Sequence, residues 1–239
     1  DAWHSEVPEA LAETGAQVLF VPNGSPYERE KSNRRIDLMV SRVIETGLPL
    51  VYLNMVGGQD DQVFDGGSFV LNPGGELALS LPMFETCIAH VHFLETPKGW
   101  LAEPENRMVW PKPLEQDYHA MVLSLRDYIL KTGFSSVVLG LSGGIDSAIV
   151  ATIAADAIGA KNVNCVMLPS EYTSQRSLDD AQSVAQALGA VLHSVPIEGS
   201  RSAVASALAP LFEGLAADLT EENIQSRLRG LLLMAISNK

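Results

Sequence analysis

The chain is poor in cations. Its 239 residues carry 16 Lys and Arg against 29 Asp and Glu, a formal net charge of −13. A surface of that sign repels nucleic acid and anionic membranes, so neither is expected as a partner. No apolar run reaches the roughly 18 residues needed to span a bilayer, and no signal-peptide pattern opens the sequence. Cysteine is scarce too: Cys87 and Cys165 are the only two, with no C-x-x-C spacing. His4, His90, His92, His119 and His193 form no cluster in sequence. A disulfide scaffold and a zinc site are therefore not expected, and the cytoplasm is the expected compartment. There is no G-x-x-x-x-G-K-[ST] run, which excludes a Walker A loop. Asp60, Asp61 and Asp65 crowd one loop, but Val63 occupies a required ligand position, so a calcium loop is excluded as well. The sequence starts without methionine and stops inside a helix-like pattern, Thr220 to Lys239, so a piece of a longer chain is expected.

What is present is a glycine loop with apolar sequence before it and small residues after it. Val137 to Leu141 reads as a strand, Ser142-Gly-Gly as a tight turn, and Ala148 to Ile158 as a helix stopped by Gly159. Such a turn leaves unpaired N–H groups at a helix N-terminus, where phosphate binds. Two motifs compete for Gly140 to Ser147. Gly140-Leu-Ser142-Gly-Gly144 fits the nucleophile elbow of serine hydrolases, with Ser142 as nucleophile. The elbow also needs an acid and then a histidine further along, and only His193 follows, inside an apolar run. A pyrophosphate loop has uses the elbow lacks. The Ser142 and Ser147 hydroxyls can donate to phosphate oxygens, and Asp146 can hold Mg²⁺ beside them.

The rest of the chain alternates strand and helix. A helix over 5–14, a strand at 17–21, a helix from Tyr27 to Thr46 and a strand from Leu48 to Val56 lead the first unit. Ile36, Met39, Val40, Val43 and Ile44 form the apolar face of that second helix. Gly67 to Leu81 reads as a hairpin, and Ile88 to Leu94 as a last strand. Residues 1–94 form this unit, and proline-rich 95–113 reads as a linker with Trp100 and Trp110 as surface anchors. Residues 114–239 open with a helix over Leu114 to Lys131, its stripe at Tyr118, Met121, Val122, Leu125 and Ile129. The glycine loop follows, then a strand over 163–168, a helix from Ser177 to Leu188 with a capping box closed by Asp180, and a strand over 191–197. That alternation predicts a doubly wound parallel sheet with ligands beyond the strand C-termini.

Three motifs carry a family resemblance. They are Ser142-Gly-Gly-Ile-Asp146-Ser147, Leu168-Pro-Ser-Glu-Tyr172-Thr-Ser-Gln175-Arg-Ser177-Leu-Asp-Asp180-Ala, and Thr220-Glu-Glu-Asn223-Ile-Gln225-Ser-Arg227-Leu-Arg229-Gly230. Together they resemble the synthetase domain of the glutamine-dependent NAD⁺ synthetases. The first alone is shared by the wider ATP pyrophosphatases, GMP synthetase among them. Val21-Pro-Asn-Gly-Ser25-Pro-Tyr27-Glu-Arg-Glu-Lys31 and Val56 to Ser68 resemble the later half of the nitrilase-type amidase domain joined to that synthetase.

The resemblance implies an α/β chain. The C-terminal part of a nitrilase-like α-β-β-α sandwich precedes the first part of an adenine-nucleotide α-hydrolase-like parallel sheet. It implies a carbon–nitrogen ligase: ATP adenylates deamido-NAD⁺, and ammonia from glutamine displaces AMP. Gly140, Leu141, Ser142, Gly143, Gly144, Ile145, Asp146 and Ser147 fall to ATP, with Asp146 also on Mg²⁺. Ser25 and Lys31 fall to glutamine, Lys31 one or two turns into its helix. Asn223, Arg227 and Arg229 fall to deamido-NAD⁺, the first two sharing a face. Tyr172 to Gln175 either contacts ATP or forms an ordinary loop. The amidase Glu, Lys and Cys are expected before Asp1, so no catalytic residue is assigned and this segment alone is expected to be inactive. A homo-oligomer is implied. GMP synthetase, or a serine hydrolase using Ser142, is the alternative function.

Overall fold

The computed structural model describes residues 2–216 and 218–239. Contacts divide the chain into Asp1–Tyr128 and Ile129–Lys239. Asp1, where the sequence opens, lies outside the described residues.

The first unit runs α1 (Glu6–Glu13), β1 (Leu19–Asn23), α2 (Lys31–Thr46), β2 (Leu50–Asn54), β3 (Val56–Gln59), β4 (Gln62–Asp65), β5 (Phe69–Leu71), β6 (Leu77–Ser80), β7 (Phe93–Thr96), β8 (Gly99–Ala102) and α3 (Pro113–Thr132), the last continuing past Tyr128. β1 and β2 pair in parallel, and β5 and β6 add antiparallel strands in the order β1-β2-β5-β6. Alternation along β2 buries Leu50 and Tyr52, and Tyr52 stacks on Phe69 with ring centroids 4.9 Å apart. Met39 and Val43 of α2 close the same core.

Several expectations shift here. α2 begins at Lys31 rather than Tyr27, because Pro26 and the left-handed Glu30 (φ 66°) keep the preceding turn out of the helix. Ile44 is 62% exposed, while Arg35 and Arg42 lie buried on the face that also holds Met39. Polar contacts, described below, turn the helix that way. Residues 86–92 form no strand, and Ile88 is exposed. The alternation there places Val91, which lies outside any strand, and Phe93, which pairs with Ala102 at the start of β7, against a small cluster around Val70 and Leu79.

The proline-rich stretch carries the β7–β8 hairpin and is tied to the first unit. Asn72 exchanges two hydrogen bonds with the Ala102 backbone, at 2.9 and 2.8 Å, and Trp110 Nε1 donates to Leu81 O at 2.9 Å. α3 continues this docking. Asp127 Oδ2 accepts from Gly58 N at 2.7 Å, and a Cβ at Gly58 would stand 3.1 Å from the Ser124 Cα. Gly58 thus permits a close helix–strand approach. These anchors turn Ala120 and Leu123 inward and leave Met121 44% exposed, so the stripe is rotated from the expected one. Tyr118, Val122 and Leu125 are only partly buried, and Ile129 is buried.

The second unit runs β9 (Val137–Gly140), α4 (Ile145–Ile158), a 3₁₀ turn (Ala160–Asn162), β10 (Val163–Met167), α5 (Gln175–Leu188), β11 (Val191–Ser194), α6 (Glu198–Leu208) and α7 (Leu219–Ser237). All three strands are parallel in the order β11-β10-β9, as alternating strand and helix require. Ala151, Ala154 and Ala157 of α4 and Ala181 and Ala185 of α5 are buried, so small side chains let these helices pack closely. Cys165 lies in β10, fully buried, and burial pushes its thiol pKa up.

α5 starts two residues before the expected Ser177. Ser174 is the N-cap and accepts from Ser177 N at 3.1 Å, so Asp180 closes no capping box. A capping box does open α7, where Asp218 accepts from Thr220 N and Glu221 accepts from Asp218 N. α6 has no counterpart in the sequence-based expectation. No helix among the described residues is long and apolar enough to cross a membrane.

Candidate functional site

In the second unit the β9–α4 turn lies at the C-terminal edge of the parallel sheet. Leu141 N still bonds Val166 O at 2.9 Å, which carries the pairing with β10 to the edge of the turn. Gly143 then adopts φ +83°, and a Cβ there would sit 2.2 Å from the Ser177 carbonyl oxygen. Only glycine meets both conditions. The loop is thereby seated on the first turn of α5.

Inside the loop, Ser142 Oγ lies 3.0 Å from Ser147 Oγ and accepts from Gly144 N at 3.3 Å, and Ser147 Oγ donates to Gly144 O at 3.0 Å. Gly144 is the N-cap of α4 and its helix receives no side-chain cap. The first-turn N–H groups and the positive end of the helix dipole therefore face outward without a protein acceptor. Asp146 is exposed on that first turn. The arrangement is an anion cradle with one carboxylate beside it, a donor set that suits Mg²⁺ shared with phosphates. Among the described residues no group of three or more His, Cys, Asp or Glu could hold a metal by itself. Ser142 is bonded to Ser147 and Gly144, and His193 is exposed on β11, so no base is arranged on Ser142.

A cavity of about 490 Å³ opens beside this loop. Gly140, Leu141 and Ser142 line one side, Tyr172, Thr173 and Ser174 another, and Arg229 of α7 a third. Arg229 Nε donates to Leu168 O at 3.1 Å, which turns the guanidinium toward the strand end. Asn223 and Arg227 share a face as expected, and Arg227 donates to the Asn223 side chain at 3.2 Å. They lie outside the cavity lining. Sequence reasoning did not find Arg201. It bonds Glu171 at 2.7 Å and Glu198, and its guanidinium lies 6.0 Å from the centroid of the Tyr172 ring, so it fixes the 169–173 loop.

The first unit holds a second polar constellation. The parallel pairing Asn23↔Asn54 brings the ends of β1 and β2 together. Ser25 is buried there. Its N–H donates to Asn54 Oδ1 at 2.9 Å, and its hydroxyl accepts from Arg35 Nε at 3.2 Å. Arg35 also pairs with both Asp65 oxygens at 2.8 Å and donates to Ser25 O and Pro26 O. Burial pushes the Asp65 carboxyl up, and Arg35 pulls it back. Lys31 occupies the first position of α2, not a later turn, and stands 3.7 Å from Glu28. Its charge is among those felt by Asp65. Asp60 and Asp61 are exposed, so of the three crowded aspartates only Asp65 enters the knot. Arg35 and Asn54 escaped sequence reasoning. An arginine on the apolar stripe of α2 was the available signal.

Known proteins bear on both constellations. Residues 117–239, just over half of the chain, match the NAD synthase model, and residues 1–96 match the carbon-nitrogen hydrolase model. All 239 residues align at 63% identity with 43% of the glutamine-dependent NAD(+) synthetase of Rhodobacter capsulatus. The chain also aligns at 36% identity with 47% of the corresponding Thermotoga maritima protein. A solved glutamine-dependent NAD⁺ synthetase from Acinetobacter baumannii, in complex with ADP, superposes on the whole chain with a TM-score of 0.94 at 39% identity, over 45% of that protein. The chain thus spans less than half the length of these relatives. A carbon-nitrogen hydrolase segment followed in sequence by an NAD synthase segment is what the chain presents, and it belongs to the NAD synthase family.

Proposed function

We propose that, within a polypeptide of the full length of its relatives, this chain serves glutamine-dependent NAD⁺ synthesis. In the synthetase half, a carboxylate oxygen of deamido-NAD⁺ attacks the α-phosphorus of ATP and pyrophosphate leaves. Ammonia then adds to the acyl carbon and AMP departs with its electron pair. A carboxylate is a poor acyl donor, and the mixed anhydride supplies the leaving group. The uncapped α4 N-terminus behind a loop that only Gly143 fits is the observation that carries this reading. Backbone N–H groups of residues 143–147, with the Ser142 and Ser147 hydroxyls, bind the pyrophosphate portion, where charge is carried off in the first step. Mg²⁺ at Asp146 would neutralise phosphate charge. Asn223, Arg227 and Arg229 meet the polar and anionic groups of deamido-NAD⁺, Arg229 from the cavity wall. Ser25 and Lys31 receive glutamine in the amidase half. A homo-oligomer in the cytoplasm accompanies this reading, and light scattering on the purified protein tests the assembly.

The test is product analysis of that full-length polypeptide. AMP and pyrophosphate are expected in equal amounts, and only with deamido-NAD⁺ present. ADP and phosphate would overturn the reading, and turnover of XMP in place of deamido-NAD⁺ would favour a GMP synthetase. Fluorophosphonate labelling of Ser142 would favour the hydrolase alternative. Asp146→Asn is expected to raise the Mg²⁺ concentration for half-maximal rate roughly 10-fold, the scale of losing one oriented group at a metal site. An unchanged Mg²⁺ dependence would remove Asp146 from that role.

A further inference from the structure

Ser25 and Lys31 are held in place by very different means. Ser25 sits in the buried knot with Asn54 and Arg35. Lys31 is delivered by a turn, Pro26 to Glu30, whose last residue is left-handed at φ 66° and caps α2 without a side-chain hydrogen bond. A glutamate in that region is strained, so the turn persists only if something outside it fixes it. Its backbone ties are few: Tyr27 N donates to Val63 O at 2.7 Å, and Lys31 N to Glu28 O at 3.1 Å.

Side chains complete the restraint: Arg35 holds Pro26 O at 3.0 Å, and two side chains of the turn itself converge on one residue. Tyr27 Oη donates to Asp117 Oδ1 at 2.7 Å, and Arg29 Nη2 donates to Asp117 Oδ2. Both oxygens of one carboxylate on α3 are thus engaged by the turn. The Tyr27 ring packs edge-on against Phe84, with centroids 5.7 Å apart. These two bonds hold Asp117 below the usual carboxylate range, so it stays ionised as an acceptor.

We propose that Asp117 is a positioning residue for glutamine: it clamps the Tyr27–Lys31 turn so that Lys31 is held near the Ser25–Asp65 knot, where its charge reaches Asp65. The inference rests on the reading that Ser25 and Lys31 receive glutamine. It explains why Tyr27 and Arg29, two residues apart and flanking Glu28, turn to the same acceptor. It also assigns a role in the first unit to a residue within the NAD synthase match.

The experiment follows glutamate release from glutamine, and separately NAD⁺ formation from ammonia, in the full-length polypeptide. Asp117→Ala is expected to raise the KM for glutamine about 10-fold, the scale of two lost charge-assisted bonds offset by partial relaxation, with the ammonia-driven rate unchanged. Asp117→Asn keeps an acceptor for Tyr27 and should fall between the two. Tyr27→Phe and Arg29→Gln should each reproduce part of the shift. An unchanged KM for glutamine overturns the inference, as does a parallel fall in the ammonia-driven rate, which marks a merely structural role. If the unsubstituted protein releases no glutamate from glutamine, the assignment of Ser25 and Lys31 fails instead, and the clamp fails with it.

Discussion

Replacing Gly143 with alanine is expected to lower kcat/KM for ATP at least about 100-fold, because small misplacements of reacting groups cost that much. Two independent constraints meet at this residue. Its φ of +83° is open to glycine and costs an alanine roughly 1–2 kcal/mol. The added Cβ would also meet the Ser177 carbonyl oxygen at 2.2 Å, and that oxygen belongs to the backbone of α5, which cannot rotate away. Either the loop lifts off α5 or α5 shifts, and both movements displace Ser142 from the cavity and move the α4 N-terminus beside it. Overpacking of this kind costs about 1–3 kcal/mol, so the protein should still fold. The measurement is isothermal titration of ATP with a parallel thermal melt. Weakened ATP binding with a small change in melting is the expected pair. Unaltered ATP affinity would show that the loop does not bind phosphate. Gly144 offers an internal control, since its φ is −84° and a Cβ there would lie 3.4 Å from the movable Ser142 Oγ. Gly144→Ala should be several-fold milder.

The strand, glycine turn and helix from Val137 to Ile158 were legible in the sequence because their information is local. An apolar strand, two glycines and a small-residue helix lie within about twenty residues, and each step is dictated by its neighbours. The parallel sheet was legible for the same reason. What escaped were features set by contacts distant in sequence. Arg35 finds Asp65 thirty residues on, and Tyr27 finds Asp117 ninety residues on. Nothing in the local pattern of α2 says that an arginine will face the core and Ile44 the solvent. The strand expected at Ile88 to Leu94 had the right alternation, but of its residues it is Phe93 and Leu94 that pair, with β8, and period alone does not supply a partner for the rest. The start of α5 was misread because Ser174 and Ser177 are both good N-cap residues, and the choice between them is made by where the chain leaves β10. Arg229 shows the limit on function. Of three polar residues on one predicted helix, the shared face of Asn223 and Arg227 put those two ahead, and the approach of α7 to β9 brings Arg229 to the cavity instead.

Arg35→Met should produce the largest loss of stability, about 3–5 kcal/mol, the usual cost of removing one partner from a buried ion pair. Both side chains of the pair are almost fully buried, at 3% and 2% exposure, so water cannot replace the missing guanidinium. Asp65 would lose both arginine bonds while keeping that from Asn54 Nδ2 at 3.1 Å, and Pro26 O would lose a donor. The Asp65 carboxyl already lies above its ordinary range through burial, and without Arg35 it should rise further. The sign of the pH effect follows. A carboxyl whose folded pKa exceeds its unfolded one contributes stability at low pH that is lost as pH rises through the folded value. The variant should therefore be less destabilised in mild acid than at neutral pH. Hydrogen exchange of the α2 and β2 amides reads this locally, without assuming that both units unfold together. The double variant Arg35→Met, Asp65→Leu removes the orphaned charge and should recover much of the stability, yet it leaves Ser25 and Pro26 without the arginine that orients them. Stability regained without glutamine binding regained would separate what the pair does for the fold from what it does for the pocket. Full recovery of both would mean that Arg35 has no part in shaping the site.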